Sequence, residues 1–307
     1  MPINGVMMLG LVAPALLVAV MMAIGWGLRR RDSAIVGGWW AGALAFPIGY
    51  GFAHWILVAP PRLTGIEWSI VDANSRVWLV APLGLVAGLI GATRAPGWVR
   101  GIVVLLAGLV SGWLLVGSVH PDYLGGWARH ATLVAVGIGT WSTWFAIERD
   151  TDRHRWHGLV TALILALVSP PLIGLVGKIG VFALASTALG GMVIAAAGMS
   201  LINGSATVAR GASPTIALAL TTIWFASSVL LHGYLETPLL VLLVAAPAVP
   251  GVLKLIGETS SRVRGACERR SWLPVVLRLT AMLVPLLIVA VLALRVVMEK
   301  DANPYGY

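Results

Sequence analysis

VMMLGLVAPALLVAVMMAIGWGLRRR, residues 6–31, decides how the rest of the chain is read. Residues 6–28 hold no charge, and Arg29, Arg30 and Arg31 follow at once. A helix rises about 1.5 Å per residue, so roughly 20 apolar residues cross the about 30 Å of bilayer hydrocarbon. A cleavable leader has a shorter apolar core, of about 7–15 residues, with basic residues in front of it. Here no Lys or Arg precedes the run. That charge order predicts a first membrane span with its N-terminus outside, because Lys and Arg stay on the cytoplasmic side.

The composition extends this reading to the whole chain. Of 307 residues, 59% are hydrophobic and 11% charged, and the mean hydropathy is +0.92. Soluble domains carry about 25% charged residues, so this surface must largely face lipid. The apolar runs are continuous rather than alternating, which excludes a β-barrel in favour of helices. Net charge +9 is explained by cytoplasmic loops and needs no nucleic acid. One cysteine, Cys267, excludes an internal disulfide.

The predicted fold is all-α, a polytopic transmembrane bundle of about ten spans forming one integral membrane domain over residues 1–307. The spans cover residues 6–28, 34–58, 77–93, 98–119, 124–147, 159–177, 179–202, 214–235, 238–257 and 273–297. With the N-terminus outside, the cytoplasmic connections hold Arg29–Arg31, Arg94, Arg100, Arg149, Arg153, Arg155, Arg210, Lys254, Arg262, Arg264, Arg269 and Arg270. The outer ones hold only Arg62, Arg76, Arg129 and Lys178. This steep asymmetry places both termini outside. If the tight turn at Lys178 did not separate two spans, the count would be nine. The basic loop 258–272 would then fall outside, against the rule.

Tryptophan supports the same levels. Trp26, Trp39, Trp40, Trp98, Trp144, Trp156 and Trp272 fall near inner ends, and Trp55, Trp68, Trp78 and Trp127 near outer ends. Trp113, Trp141 and Trp224 lie deeper and are expected to pack between helices. Gly38/Gly42, Gly84/Gly88 and Gly108/Gly112 each set two small residues on one helix face, where backbones can approach. LGLVAPAL at 9–16 and LALVSPPL at 165–172 hint at a five-plus-five inverted repeat. The same apolar alphabet repeats Leu-Val-Ala-Pro at 57–60 and 79–82, which weakens that hint.

Candidate chemistry is sparse. The stretch FPIGYGFAHWILVAPPRLTGIEWSIVDANSR, residues 46–76, is read as the longest polar connection on the outer side. Its portion 59–76 is an outer loop with an interfacial helix, paired through Asp72 and Arg76 at i, i+4. His54, Glu67, Asp72, Arg76, His120, Arg129 and His130 form a candidate outer-face cluster. Their spacing matches no metal or haem motif, so no metal and no cofactor is expected. Thr221, Trp224, Ser228, His232 and Glu236 recur at three or four residues and mark a candidate polar path along span eight. Pro170, Pro171, Pro247 and Pro250 are candidate helix breaks of the kind that free backbone carbonyls in transporters. Glu-Arg-Asp-Thr-Asp-Arg at 148–153 reads as a solvated charge run, and no catalytic motif is present.

These features describe a multi-pass protein of the bacterial inner membrane. The leading expectation is a non-catalytic membrane subunit or scaffold whose partners are the lipid bilayer and other membrane subunits. The alternative is a secondary transporter of a small solute or ion using span eight. An outer-face metal or haem site, or an intramembrane enzyme, ranks below both.

Overall fold

The computed structural model describes residues 3–27, 34–57, 76–116, 126–153, 158–167, 180–203 and 208–229, with scattered helical residues between 280 and 298. In chain order the helices are α1 (Ile3–Gly27), α2 (Ala34–Leu57), α3 (Val80–Gly91), α4 (Gly97–Val116) and α5 (Gly126–Arg153). They continue with the short α6 (Gly158–Leu167), then α7 (Gly180–Asn203) and α8 (Val208–Val229). No strand occurs among the described residues. Among the described residues, three helical segments are long and apolar enough to cross a membrane: Met8–Trp26, Gly97–Val116 and Ala183–Ile202. Expected spans nine and ten, apart from the scattered helical residues, lie outside the described residues.

Each outer helix divides into a packed and an exposed stripe. On α1, Met8, Val12, Leu16, Val20 and Ile24 recur every four residues and are exposed, while Val18 and Met22 are buried. On α4, Trp98, Ile102, Leu106, Val110 and Trp113 are exposed, while Gly101, Val104, Gly108, Ser111, Gly112 and Leu115 face inward. An apolar exposed stripe is stable only where the surroundings are themselves apolar, which is what a lipid-facing helix requires.

Helix α8 is the axis of the bundle. It packs against α2, α3, α4, α5 and α7, whereas α1 lies at the edge against α2 and α7. Every described side chain from 211 to 226 is buried. The sequence permits this because VARGASPTIALALTTIWFASSV is rich in Ala, Gly, Ser and Thr. Between membrane helices there is no hydrophobic driving force, so close packing of small residues must hold them. A methyl built on Gly84 of α3 would lie 2.8 Å from Thr215 Oγ1, and one on Gly88 3.0 Å from the Gly211 carbonyl.

Helices α4 and α5 run antiparallel. Gly101 faces Trp141 and Trp144, Gly108 faces Gly137 and Thr140, and Gly112 faces Leu133 and Val136. Two of the three glycine pairs read from the sequence therefore sit at helix–helix contacts. Gly126 opens α5 with φ 57°, a left-handed backbone that glycine adopts without steric cost. Between α3 and α4 the Thr93 hydroxyl donates to the Ile90 carbonyl at 2.6 Å. The Ala95 N–H donates back to Thr93 Oγ1 at 3.2 Å.

Several expected boundaries change. The eighth span does not begin at Pro214; the helix starts at Val208 and holds Pro214 inside. Proline leaves the carbonyl four residues earlier, that of Arg210, without its backbone donor. The Ser213 hydroxyl donates to that carbonyl at 3.2 Å, so the helix passes through the proline. The fifth span does not stop at Ile147, because α5 continues to Arg153. The second helix keeps its expected extent, α2 ending at Leu57, with Phe46 and Tyr50 fully buried.

Candidate functional site

Arg100 and Glu148 form a buried ion pair, Nη1 to Oε1, between the first turn of α4 and the last third of α5. The two side chains are 8% and 6% exposed. Helical period explains their position. Arg100 stands four residues before Val104, on the stripe that carries Gly101, Gly108 and Gly112. Glu148 follows Thr140 and Trp144 at spacings of four, again on the inward side. Both were expected among solvated charges, Arg100 as a topology marker in a connection and Glu148 in a charge run. The structure corrects this: periodicity turns each toward the other, while Arg94 remains exposed in the α3–α4 turn.

A cleft of about 630 Å³ opens beside the pair, lined by Trp98, Ile102, Leu105, Trp141, Trp144 and Phe145 among others. Gly101 admits the indoles, since a methyl there would lie 3.2 Å from Trp141 Nε1 and 3.4 Å from the Trp144 ring. Trp141 stacks on Phe145 with centroids 5.4 Å apart. Trp98, Trp141 and Phe145 are partly exposed, so the cleft is open on the apolar stripe of α4. Glu148 Oε2 has no hydrogen-bond partner among the described residues.

A second polar set lies on α8 and on helices packed against it. Ser111 on α4 and Thr222 on α8 share a hydrogen bond of 2.7 Å. The hydroxyls of Thr140 and Thr143 on α5 and of Thr215 and Thr221 on α8 are buried without a hydrogen-bond partner among the described residues. Helical hydroxyls commonly bond back to a carbonyl one turn earlier, as Thr187 does to Ala183 at 2.8 Å. On α2, Tyr50 and His54 lie with ring centroids 6.1 Å apart. The Tyr50 hydroxyl and both His54 nitrogens are also buried without such a partner. Ionisable and unpaired polar groups are costly inside a membrane bundle, and they mark ligand or ion sites there.

The expected site residues are only partly brought together. Thr221 and Trp224 of the candidate path are buried on the central helix. Ser228 lies within α8, while His232 and Glu236 fall outside the described residues. In the outer-face set, His54 sits in the last turn of α2 and is fully buried there. The apolar last turns of α2 carry it inward. His130 is exposed, its Nδ1 3.2 Å from the Gly126 carbonyl; Arg76 and Arg129 are half-buried. Glu67, Asp72 and His120 fall outside the described residues, as do Pro170, Pro171, Pro247 and Pro250. Among the described residues, no three of His, Cys, Asp and Glu gather as a metal site would require.

Tryptophan placement also changes. Trp224 packs inside, but Trp113 and Trp141 are 52% and 39% exposed and lie on outer faces. Trp144, expected at the inner headgroup level, is buried. No protein-family model, curated protein or solved structure matches this chain. Its functional reading therefore rests on the geometry. Among the described residues that geometry is all-helical, with three helices able to span a membrane.

Proposed function

We propose that the chain is a ten-span protein of the bacterial inner membrane, both termini outside, whose bundle carries a small polar solute or ion. The span count and orientation follow from the positive-inside asymmetry. The observation that carries the transport reading is the set of buried groups without hydrogen-bond partners among the described residues: Thr215 and Thr221 on α8, and Thr140, Thr143 and His54 on helices packed against it. A solute or bound water passing the central helix would supply the bonds these groups lack. The sequence alone favoured a membrane subunit because intramembrane polar groups looked scarce. Burial of His54, Arg100 and Glu148 removes that ground.

A non-catalytic membrane subunit is the second reading, favoured by the close seating of α3 on α8. There Gly84 and Gly88 meet Thr215 and the Gly211 backbone with no room for a methyl. Cysteine accessibility separates the two. Cys267 is the only native cysteine, so Cys267→Ser gives a clean background for Thr140→Cys, Thr215→Cys and Thr221→Cys. In proteoliposomes a transport path lets a water-soluble cationic methanethiosulfonate label these positions from at least one side. A packed subunit core leaves them unlabelled until the protein is denatured, and that result would end the transport reading.

A further inference from the structure

The lining of the cleft between α4 and α5 includes none of the unpartnered hydroxyls, and its chemistry is different. We infer that it binds an organic ammonium group carried on an apolar body, with Glu148 as the counter-charge and Trp98 and Trp141 as ring walls. The lining is largely apolar and aromatic, and about 630 Å³ suits a compact organic ligand or a lipid headgroup with the start of its chains. At its polar end, one Glu148 oxygen holds Arg100. The other is buried and has no hydrogen-bond partner among the described residues. A carboxylate oxygen only accepts hydrogen bonds and repels anions, so the complementary group is a cation or an N–H donor.

Indole and phenyl faces add attraction for an ammonium group and none for an anion. Trp141 and Phe145 stack in parallel, 5.4 Å between centroids. They form a firm wall instead of a loose surface ring. Entry is from the lipid-facing side, because Trp98 and Ile102 are exposed there at 70% and 49%. A fully hydrated inorganic cation has no use for such an opening. An amphiphile does. The shared chemistry fits an aminophospholipid headgroup or a free alkylammonium compound.

Equilibrium dialysis of the full chain in phosphatidylglycerol nanodiscs, with hexyltrimethylammonium and hexanesulfonate as probes, tests this. The expected result is saturable binding of the ammonium probe and none of the sulfonate. Glu148→Gln weakens the ammonium probe by about tenfold or more, the scale of a bond to a charged group. Trp98→Ala weakens it by about two- to fivefold, the scale of an exposed cation–π contact. Repeating the titration in phosphatidylethanolamine nanodiscs identifies the source. Suppressed probe binding there assigns the cleft to the lipid headgroup, and unchanged binding assigns it to a free organic cation; both support the ammonium chemistry. Equal binding of the sulfonate, or a folded Glu148→Gln protein that binds the ammonium probe as wild type does, overturns the inference. If Glu148→Gln does not fold, Trp98→Ala decides, since its side chain is exposed: unchanged affinity overturns the inference.

Discussion

Replacing Gly108 by alanine adds a single methyl at the α4–α5 crossing, and the structure fixes where it goes. That methyl would lie 2.8 Å from Thr140 Cβ, 3.0 Å from Gly137 Cα and 3.0 Å from Thr140 Oγ1. The first two atoms cannot rotate away, and carbon atoms rest at about 3.5–4.0 Å. The helices must therefore part by roughly 0.5 Å, enough to forfeit a quarter or more of each neighbouring contact. Overpacking of this kind costs about 1–3 kcal/mol. Alanine returns up to about 1 kcal/mol of helix propensity. The net expectation is a loss of about 1–2 kcal/mol, a factor of about 5–30 in the folded-to-unfolded ratio. Gly198, with nothing within 4 Å of a built methyl, is the control. Gly190, whose nearest neighbours would be 3.7–3.9 Å away, is a second. At both, Ala should be neutral or stabilising by up to about 1 kcal/mol. Reversible unfolding in mixed micelles by added dodecyl sulfate measures all three. If Gly108→Ala were as stable as Gly198→Ala, the close antiparallel crossing of α4 and α5 would be wrong.

Two further outcomes use the same titration. Ser111→Ala and Thr222→Val, combined in a double-mutant cycle, should show a coupling of about 0.6 kcal/mol and no more than about 1.7 kcal/mol, the range for hydrogen bonds between membrane helices; zero coupling would remove the 2.7 Å bond. Arg100→Met alone should cost about 3–5 kcal/mol by stranding the Glu148 carboxylate. The double variant Arg100→Met/Glu148→Met should recover most of that loss, and a double variant as unstable as the single would show that the two charges do not face each other.

Helical architecture was legible because it is written in composition and run length. The glycine faces of α3 and α4 needed only a period of 3.6 residues, whereas the exposed stripe of α1 was not readable because that run is apolar on every face. Helix ends were less legible. Pro214 looked like a start because proline usually sits there; only the Ser213 hydroxyl on the Arg210 carbonyl shows how the helix continues. The candidate site was mostly missed. Arg100 and Glu148 were each assigned to water by the company they keep in sequence, near Arg94 and beside Arg149 and Asp150. The signal was present nonetheless: Arg100 is in register with Val104 and Gly108, and Glu148 with Thr140 and Trp144. A charge in register with a buried stripe outweighs its neighbours in sequence, because rotation about the helix axis decides what it meets. Pairing between helices far apart in sequence is not readable from one chain alone.

Stability does not account for the pair. Replacing a buried ion pair by apolar side chains of similar volume is often neutral or stabilising, because desolvating two charges offsets their attraction. The rest of the α4–α5 contact is close-packed and uncharged. Gly108 and Gly112 of α4 meet Leu133, Val136, Gly137 and Thr140 of α5, a contact that carries no charge. The two charges stand at one end of that contact, beside an opening walled by indoles. A guanidinium on one oxygen of a carboxylate fixes the direction of the other. The proposed ammonium ligand would give the pair a role, with Arg100 as the positioning residue and the second oxygen of Glu148 left for the ligand.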